Sequence, residues 1–330
     1  MIRRLKPRDL VRNAALTLFA GLMAGLPAPA AADNFPDRPI QLVVPAGPGS
    51  STDTIMRSLA QAASPLLGQS IVILNRPGAS GTIGVGVVAR SDADGYTIGG
   101  VPSGAITMAP HVASTPYQAS DYRLLAMVTQ AAGVLCVHPD FPAKNAEEFL
   151  AELKSHPDKY TYGSDGVGAF VQFSTARIFD QRGIRERIIP YSGADQTVTA
   201  FLAGTIDIYG GAIATIAPFV AEGKARCLLT TTARRFAALP NVESLADVRI
   251  AQAQTLLWRA LIVPRDLPQD RFDRLREAFT KAAQSAEFKA MADKRGEEVW
   301  DISAADAARY AQNESAQMEQ LARQLHLKQD

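Results

Sequence analysis

The stretch RPIQLVVPAGPGSSTDTIMRSLAQAASPLL (residues 38–67) decides the fold. Its β-branched run Ile40 to Val44 reads as a strand, and residues 45–51 form a Gly/Pro/Ser loop. Thr52 or Asp53 then suits the cap of a helix running to about Leu67. The unit recurs at once: Ile71 to Leu74 leads into NRPGASGTIG and a helical stretch through Val88. Two successive strand, glycine-rich turn, helix units predict an α/β protein with largely parallel sheets.

Working outward, Tyr96 to about Val101 follows an Asp94-Gly95 turn, and Val128 to Val137 holds another strand-like segment. Phe149, Leu150 and Leu153 recur at helical spacing within a helix from about Ala146 to Lys154. The theme then repeats. Strand YTYGS (160–164) meets the glycine loop DGVGA (165–169) and a helix over Phe170 to Phe179. IIPYSGADQ (188–196), a helix to about Ala203, TIDIYGGA (205–212) and a strand over Leu228 to Thr232 follow. LLWRALIVP (256–264) reads as a return crossing, and three helical stretches, 269–283, 286–294 and 304–325, close the chain with charged faces broken by apolar residues. The expected organisation is a leader over 1–32, a first lobe over 33–135, a second over 136–252, and completion of the first by 253–330.

The leader is expected from Arg3, Arg4, Lys6, Arg8 and Arg12, the apolar run Ala14 to Leu26, and small residues 28–32, the order of a cleaved secretory signal peptide. The run is short for a bilayer span. Removing 1–32 takes the 34 basic and 33 acidic residues to 29 and 32, a charge near −3. With no clustered Lys or Arg, that balance gives no nucleic-acid footprint. Cys136 and Cys227 lie in strand-like runs; one bridge and two buried thiols both fit, and neither cysteine forms a metal motif.

Three loops share one design, in which small residues let backbone approach a ligand where a helix begins. Unpaired first-turn N–H groups and the helix dipole hold an anion without a cationic side chain. In AGPGSSTD (46–53), Gly47 and Gly49 begin a dinucleotide GxGxxG pattern that fails at Thr52. Ser50, Ser51 and Thr52 instead offer hydroxyls beside free amides, or merely cap the helix. Gly78, Ala79, Ser80, Gly81 and Thr82 form the second loop. Neither Ser80 nor Ser164 completes a GxSxG elbow. The four histidines are poorly placed, since His138 and His156 each precede proline in expected surface turns, His111 follows Pro110 and His326 lies near the C-terminus, which argues against a catalytic triad and against a metal site. Tyr191 either reaches a ligand through its hydroxyl or is a core tyrosine, with Asp195 capping the next helix. No cofactor is expected.

Taken together, FPDRPIQLVVPAGPGSSTDT, LGQSIVILNRPGASGTIGVGVVARSDADGYTI, YTYGSDGVGAFVQF, IPYSGADQTVTAFLAGTIDI and WRALIVPRDLP resemble, in order, the tripartite tricarboxylate transporter solute receptors, or Bug proteins. The resemblance implies a non-enzymatic, monomeric periplasmic receptor. Its fold would be the two-lobe periplasmic binding protein fold, type II-like, each lobe a mostly parallel sheet flanked by helices, with hinge-crossing strands. It also implies a small carboxylate ligand (a di- or tricarboxylate or an aromatic acid) and inner-membrane permease subunits as partners. Carried over by motif, the ligand-binding set is Gly47, Gly49, Ser50, Ser51, Thr52 and Gly78 to Thr82. On the facing lobe it is Ser164, Gly168, Ala169, Phe170, Tyr191, Ala194, Asp195 and Gly211. Family members usually carry an aromatic residue where this chain has Ala46, glycines at Ser50 and Ser51, and histidine at Gln172, so the ligand is not transferable from a relative. A sensory receptor of the same fold is the alternative, and a serine hydrolase using Ser80 or Ser164 a more remote one.

Overall fold

The first strand, β1 (Ile40–Val44), is almost wholly enclosed, and the helix that leaves it, α1 (Ser51–Leu67), buries Ile55, Met56, Leu59, Ala63 and Leu67 along one face. That spacing is the apolar stripe of a helix laid on a sheet. The computed structural model describes residues 34–327 apart from 186 and 238; the expected signal peptide lies outside the described residues. Residues from Pro36 onward form one compact unit.

After α1 come β2 (Ile71–Asn75), α2 (Thr82–Ala89), β3 (Thr97–Pro102), α3 (Gly104–Thr107), β4 (Tyr122–Val137) and α4 (Ala146–Ser155). Next are β5 (Thr161–Ser164), α5 (Phe170–Arg182), β6 (Arg187–Pro190), α6 (Ala194–Leu202), β7 (Ile208–Ala212), α7 (Ile213–Ala221) and β8 (Arg226–Thr230). The chain ends with β9 (Leu256–Pro264), α8 (Gln269–Ala283), α9 (Ala286–Lys294), β10 (Glu297–Val299) and α10 (Ala304–Gln324). No described helix is long and apolar enough to cross a membrane.

The strands follow the order β2-β1-β3-β9-β4-β7-β5-β6, with β8 and β10 also paired to β4. The expectation of largely parallel sheets needs correction. β1, β2 and β3 are mutually parallel, as are β5, β6 and β7, but β9 and β4 run antiparallel between the two groups. The cause is β4, a 16-residue strand that pairs with β9 over 122–132 and with β7 and β8 beyond Gly133. A Cβ at Gly133 would stand 2.6 Å from the Phe170 ring, so glycine there lets the start of α5 rest on the crossing strand.

Each parallel group has its own core. Val43, Val85, Trp258 and Ile262 pack in the first, and Phe149, Leu153, Tyr162 and Phe179 in the second. Trp258 is a core residue whose indole donates to Glu314 at 2.9 Å. Cys136 of β4 and Cys227 of β8 are cross-strand partners joined by a disulfide, which resolves the alternative between a bridge and two thiols. Ser50, not Thr52 or Asp53, caps α1: its Oγ accepts the Asp53 N–H at 3.3 Å. α3, α7 and β10 are additions to the elements read from sequence. α7 continues an apolar run without a polar face, and β10 exists only through its pairing with β4.

Candidate functional site

β1 and β2 are parallel neighbours, so the loops that leave their carboxyl ends emerge side by side. In the first loop the Asn75 amide donates to Ala46 O (2.9 Å) and Asp53 Oδ1 (2.8 Å), while Asp53 Oδ2 accepts from the Gly49 N–H (2.8 Å) and Arg57 Nε (2.9 Å). Burial works to raise the Asp53 carboxyl, but the hydrogen bonds from Arg57, Asn75 and Gly49 outweigh it and hold the group below its ordinary value. The ionised carboxylate thus pins the loop, and Gly49, at φ 81°, supplies the turn an L side chain resists.

Ser51 and Thr52 play a different part from the one their hydroxyls suggested. Ser51 Oγ donates to Glu297 Oε1 (2.9 Å) and accepts from Arg259 Nη2 (2.8 Å), and Thr52 Oγ1 accepts from Arg259 Nε (3.2 Å). Arg259 and Glu297 are each 1% exposed, face one another at 2.5 Å, and need these partners because an incompletely bonded charge is costly in the interior. The Ser51 hydroxyl is therefore structural. The N–H groups of Ser51 and Thr52, in the first turn of α1, meet no acceptor among the described residues.

The second loop is unusual in its backbone. Gly78, Ala79, Ser80 and Gly81 have φ of 119°, 46°, 53° and 92°, four left-handed residues in succession, two of them not glycine. Such residues cost of order 1 kcal/mol each or more and persist where surroundings fix them. Gly81 N–H donates to Gly78 O (2.9 Å) and Thr82 Oγ1 to Ala79 O (2.9 Å), closing the turn. At Gly81 a Cβ would also come within 3.1 Å of Ala105. The amides of Ala79 and Ser80 are left without acceptors among the described residues, and Ser80 Oγ reaches out to donate to Val167 O at 2.6 Å.

Val167 belongs to the loop after β5, which stands beside the loop after β6 because those strands are also parallel neighbours. Tyr191 N–H donates to Ser164 O (2.8 Å), tying the two loops together. Ser164 is fully buried and its Oγ closes its own turn on Gly166 O (3.1 Å), so that hydroxyl serves the loop rather than a ligand. Gln172 Oε1 accepts the Gly168 N–H at 2.7 Å and fixes the approach to α5, where the first-turn amides of Phe170 and Val171 have no described acceptor. Ala169 is the N-cap of α5 and contributes no side-chain cap bond. A Cβ at Gly168 would stand 2.6 Å from Ala109 Cα; glycine permits that contact. Asp195 does not cap α6. Gly193 occupies the cap position, and the Ser192 N–H goes to Gln196 Oε1 (3.2 Å). Tyr191 is half-buried against a cluster that includes Val198, Phe201 and Tyr209, Ala194 opens α6, and Gly211 is enclosed within β7 against the Tyr209 hydroxyl.

The sequence reading passed over Arg259 and Glu297, and gave Asp165 no role of its own within the 164–170 loop. Asp165 accepts from Thr197 Oγ1 (2.9 Å), and burial, with help from Asp195, pushes its carboxyl up to about 6. A lone arginine in the apolar run WRALIVP was the available signal for Arg259. Ser80 and Ser164 both donate to carbonyl oxygens, whereas His111 bonds Ser315 and His156 bonds Glu152, so no described histidine serves either serine as a base. No metal-holding group of His, Cys, Asp or Glu occurs among the described residues.

Comparison with known proteins gives a match over residues 55–327 to the model of the tripartite tricarboxylate transporter family receptor. A solved structure described as a periplasmic transporter is 27% identical and superposes with a TM-score of 0.83, covering 90% of this chain and all of that one (100%). Rpa4515 of Rhodopseudomonas palustris, solved with adipate, is 26% identical with a TM-score of 0.82, covering 88% of this chain and 97% of its own. MatC of the same organism, solved with malate, is 25% identical with a TM-score of 0.80, covering 87% and 99%.

Proposed function

The chain belongs to the tripartite tricarboxylate transporter receptor family, and on that premise we propose that it is a periplasmic receptor that closes two lobes around a small dicarboxylate and presents it to membrane permease subunits. One observation carries the reading. Amides with no acceptor among the described residues, at the starts of α1, α5 and α6 and in the 78–81 turn, are gathered at strand carboxyl ends, and the two pairs of loops meet through Ser80 and Val167. Ligands of open α/β sheets bind at such ends.

Each helix start contributes roughly 0.3–1 kcal/mol to an exposed carboxylate and up to ~2 kcal/mol when partly buried. Several converging starts bind an anion without a cationic side chain. The lobes would be 33–135 with 253–330, and 136–252, with β4 and β9 as the crossing strands about which they close. In this reading the Ser80–Val167 contact belongs to the closed form. Ala46, smaller than the usual family aromatic, leaves more room beside the first carboxylate. Dicarboxylates are favoured because relatives hold malate and adipate, one shorter and one longer.

Thermal melting against a panel of dicarboxylates tests this. A ligand at about 100 times its Kd adds ~2.7 kcal/mol, a rise of several degrees in a chain of this size. A neutral sugar that raises the melt while no carboxylate does so would overturn the proposal.

A further inference from the structure

A cavity of about 740 Å³ lies away from the loops of the proposed cleft, between α8 and α10 and over the first residues of β4. Its size falls within the range of small-molecule sites, roughly 300–1,000 Å³. One wall is apolar, formed by Phe272 of α8 and by Ala304, Ala308 and Ala311 along α10. The lining also carries three guanidinium groups, those of Arg123, Arg265 and Arg276.

The charges of this cavity are unequally satisfied. Asp273 already accepts from Gln269 Nε2 (2.9 Å), and Glu319 is paired with Arg323. Arg123 donates to Leu267 O (3.3 Å) and Gln269 Oε1 (2.9 Å) and lies over the Phe272 ring at 4.1 Å. Arg265 and Arg276 make no side-chain hydrogen bond or ion pair among the described residues, and the Nε of Arg276 is enclosed without a partner. A buried donor left unpaired costs free energy, and more so on a charged group. An acceptor that enters the cavity beside Arg276 removes that cost, and a planar carboxylate matches the guanidinium fork.

We propose that this cavity is a second ligand site, distinct from the cleft, for a small amphipathic monocarboxylate whose head meets Arg276 and Arg265 and whose aliphatic or aromatic body lies on the alanines of α10 and on Phe272. Octanoate is the probe and octanol its neutral control, each titrated calorimetrically into the mature chain. The expected result is saturable octanoate binding, about tenfold or more weaker in Arg276→Gln for the loss of a charge-assisted hydrogen bond. Octanol should bind correspondingly less well. Ala308→Phe, which fills the apolar end, should abolish binding while melting within a few degrees of the native protein. Absence of saturable octanoate binding, equal binding of octanol, full affinity in Arg276→Gln, or full affinity in a folded Ala308→Phe variant would each overturn the assignment.

Discussion

Replacing Arg259 with methionine separates the structural role of the first loop from its proposed role in ligand binding. The substitution removes the 2.5 Å contact to Glu297 and the bonds to Ser51 (2.8 Å) and Thr52 (3.2 Å). Glu297 is then left with two hydroxyl donors, Ser51 (2.9 Å) and Thr129 (2.7 Å), at 1% exposure. Breaking one side of a buried pair costs about 3–5 kcal/mol because the remaining charge stays desolvated. At roughly 2–4 °C per kcal/mol, the melting temperature should fall by about 6–20 °C. Replacing both partners, Arg259→Met with Glu297→Leu, should recover most of that stability, since neither charge then remains buried. Urea unfolding of the two variants measures the cost directly. Dicarboxylate affinity should stay reduced in the double variant, because the bonds that fix the Ser51 and Thr52 hydroxyls in the first turn of α1 are then gone. A single variant within about 1 kcal/mol of native refutes the reasoning. So does a double variant as unstable as the single one, since the loss would then be one of packing.

Ser80→Ala removes the hydroxyl that joins the 78–82 and 165–169 loops, and should weaken dicarboxylate binding by about two- to tenfold, the worth of one net hydrogen bond. Calorimetric titration checks this, and unchanged affinity would mean the contact does not favour closure. Glu314 is buried and accepts from Thr107 (2.8 Å) and Trp258 (2.9 Å); burial pushes its carboxyl up to about 7, against hydrogen bonds and Arg177 that pull it down. The folded chain therefore holds this proton more tightly than the unfolded chain, whose glutamates ionise near 4.5. Its contribution to stability is complete below about 4.5 and is lost as pH rises to about 7. Glu314→Gln keeps an acceptor for both donors and should stabilise the protein at pH 8 by on the order of 2 kcal/mol, with little gain at pH 4. Urea unfolding at the two pH values decides; an equal effect at both would exclude ionisation of Glu314 as the cause.

The strand, turn and helix units were legible because their signals are local. Ile40 to Val44 and Ile71 to Leu74 are short runs rich in β-branched residues, and each is followed by glycine-rich residues that favour a turn and then a helix start. The order of the glycine loops was enough to indicate the family. Element ends were less legible, since Ser50, Ser51, Thr52 and Asp53 all suit a cap, and only the hydrogen bond from Asp53 N–H to Ser50 singles one out.

What the sequence by itself determined was therefore the α/β units, the return strand and the positions of the glycine-rich turns. Tertiary structure alone decided what the hydroxyls in those turns do. Ser51 lies 208 positions from the arginine that bonds it and 246 from Glu297, and Ser80 lies 87 from the carbonyl it meets. Local propensity carries no information about partners so distant. The same holds for the mixed sheet: β4 joins the two parallel groups because its length lets one strand pair with β9 and then with β7 and β8, a choice made by packing.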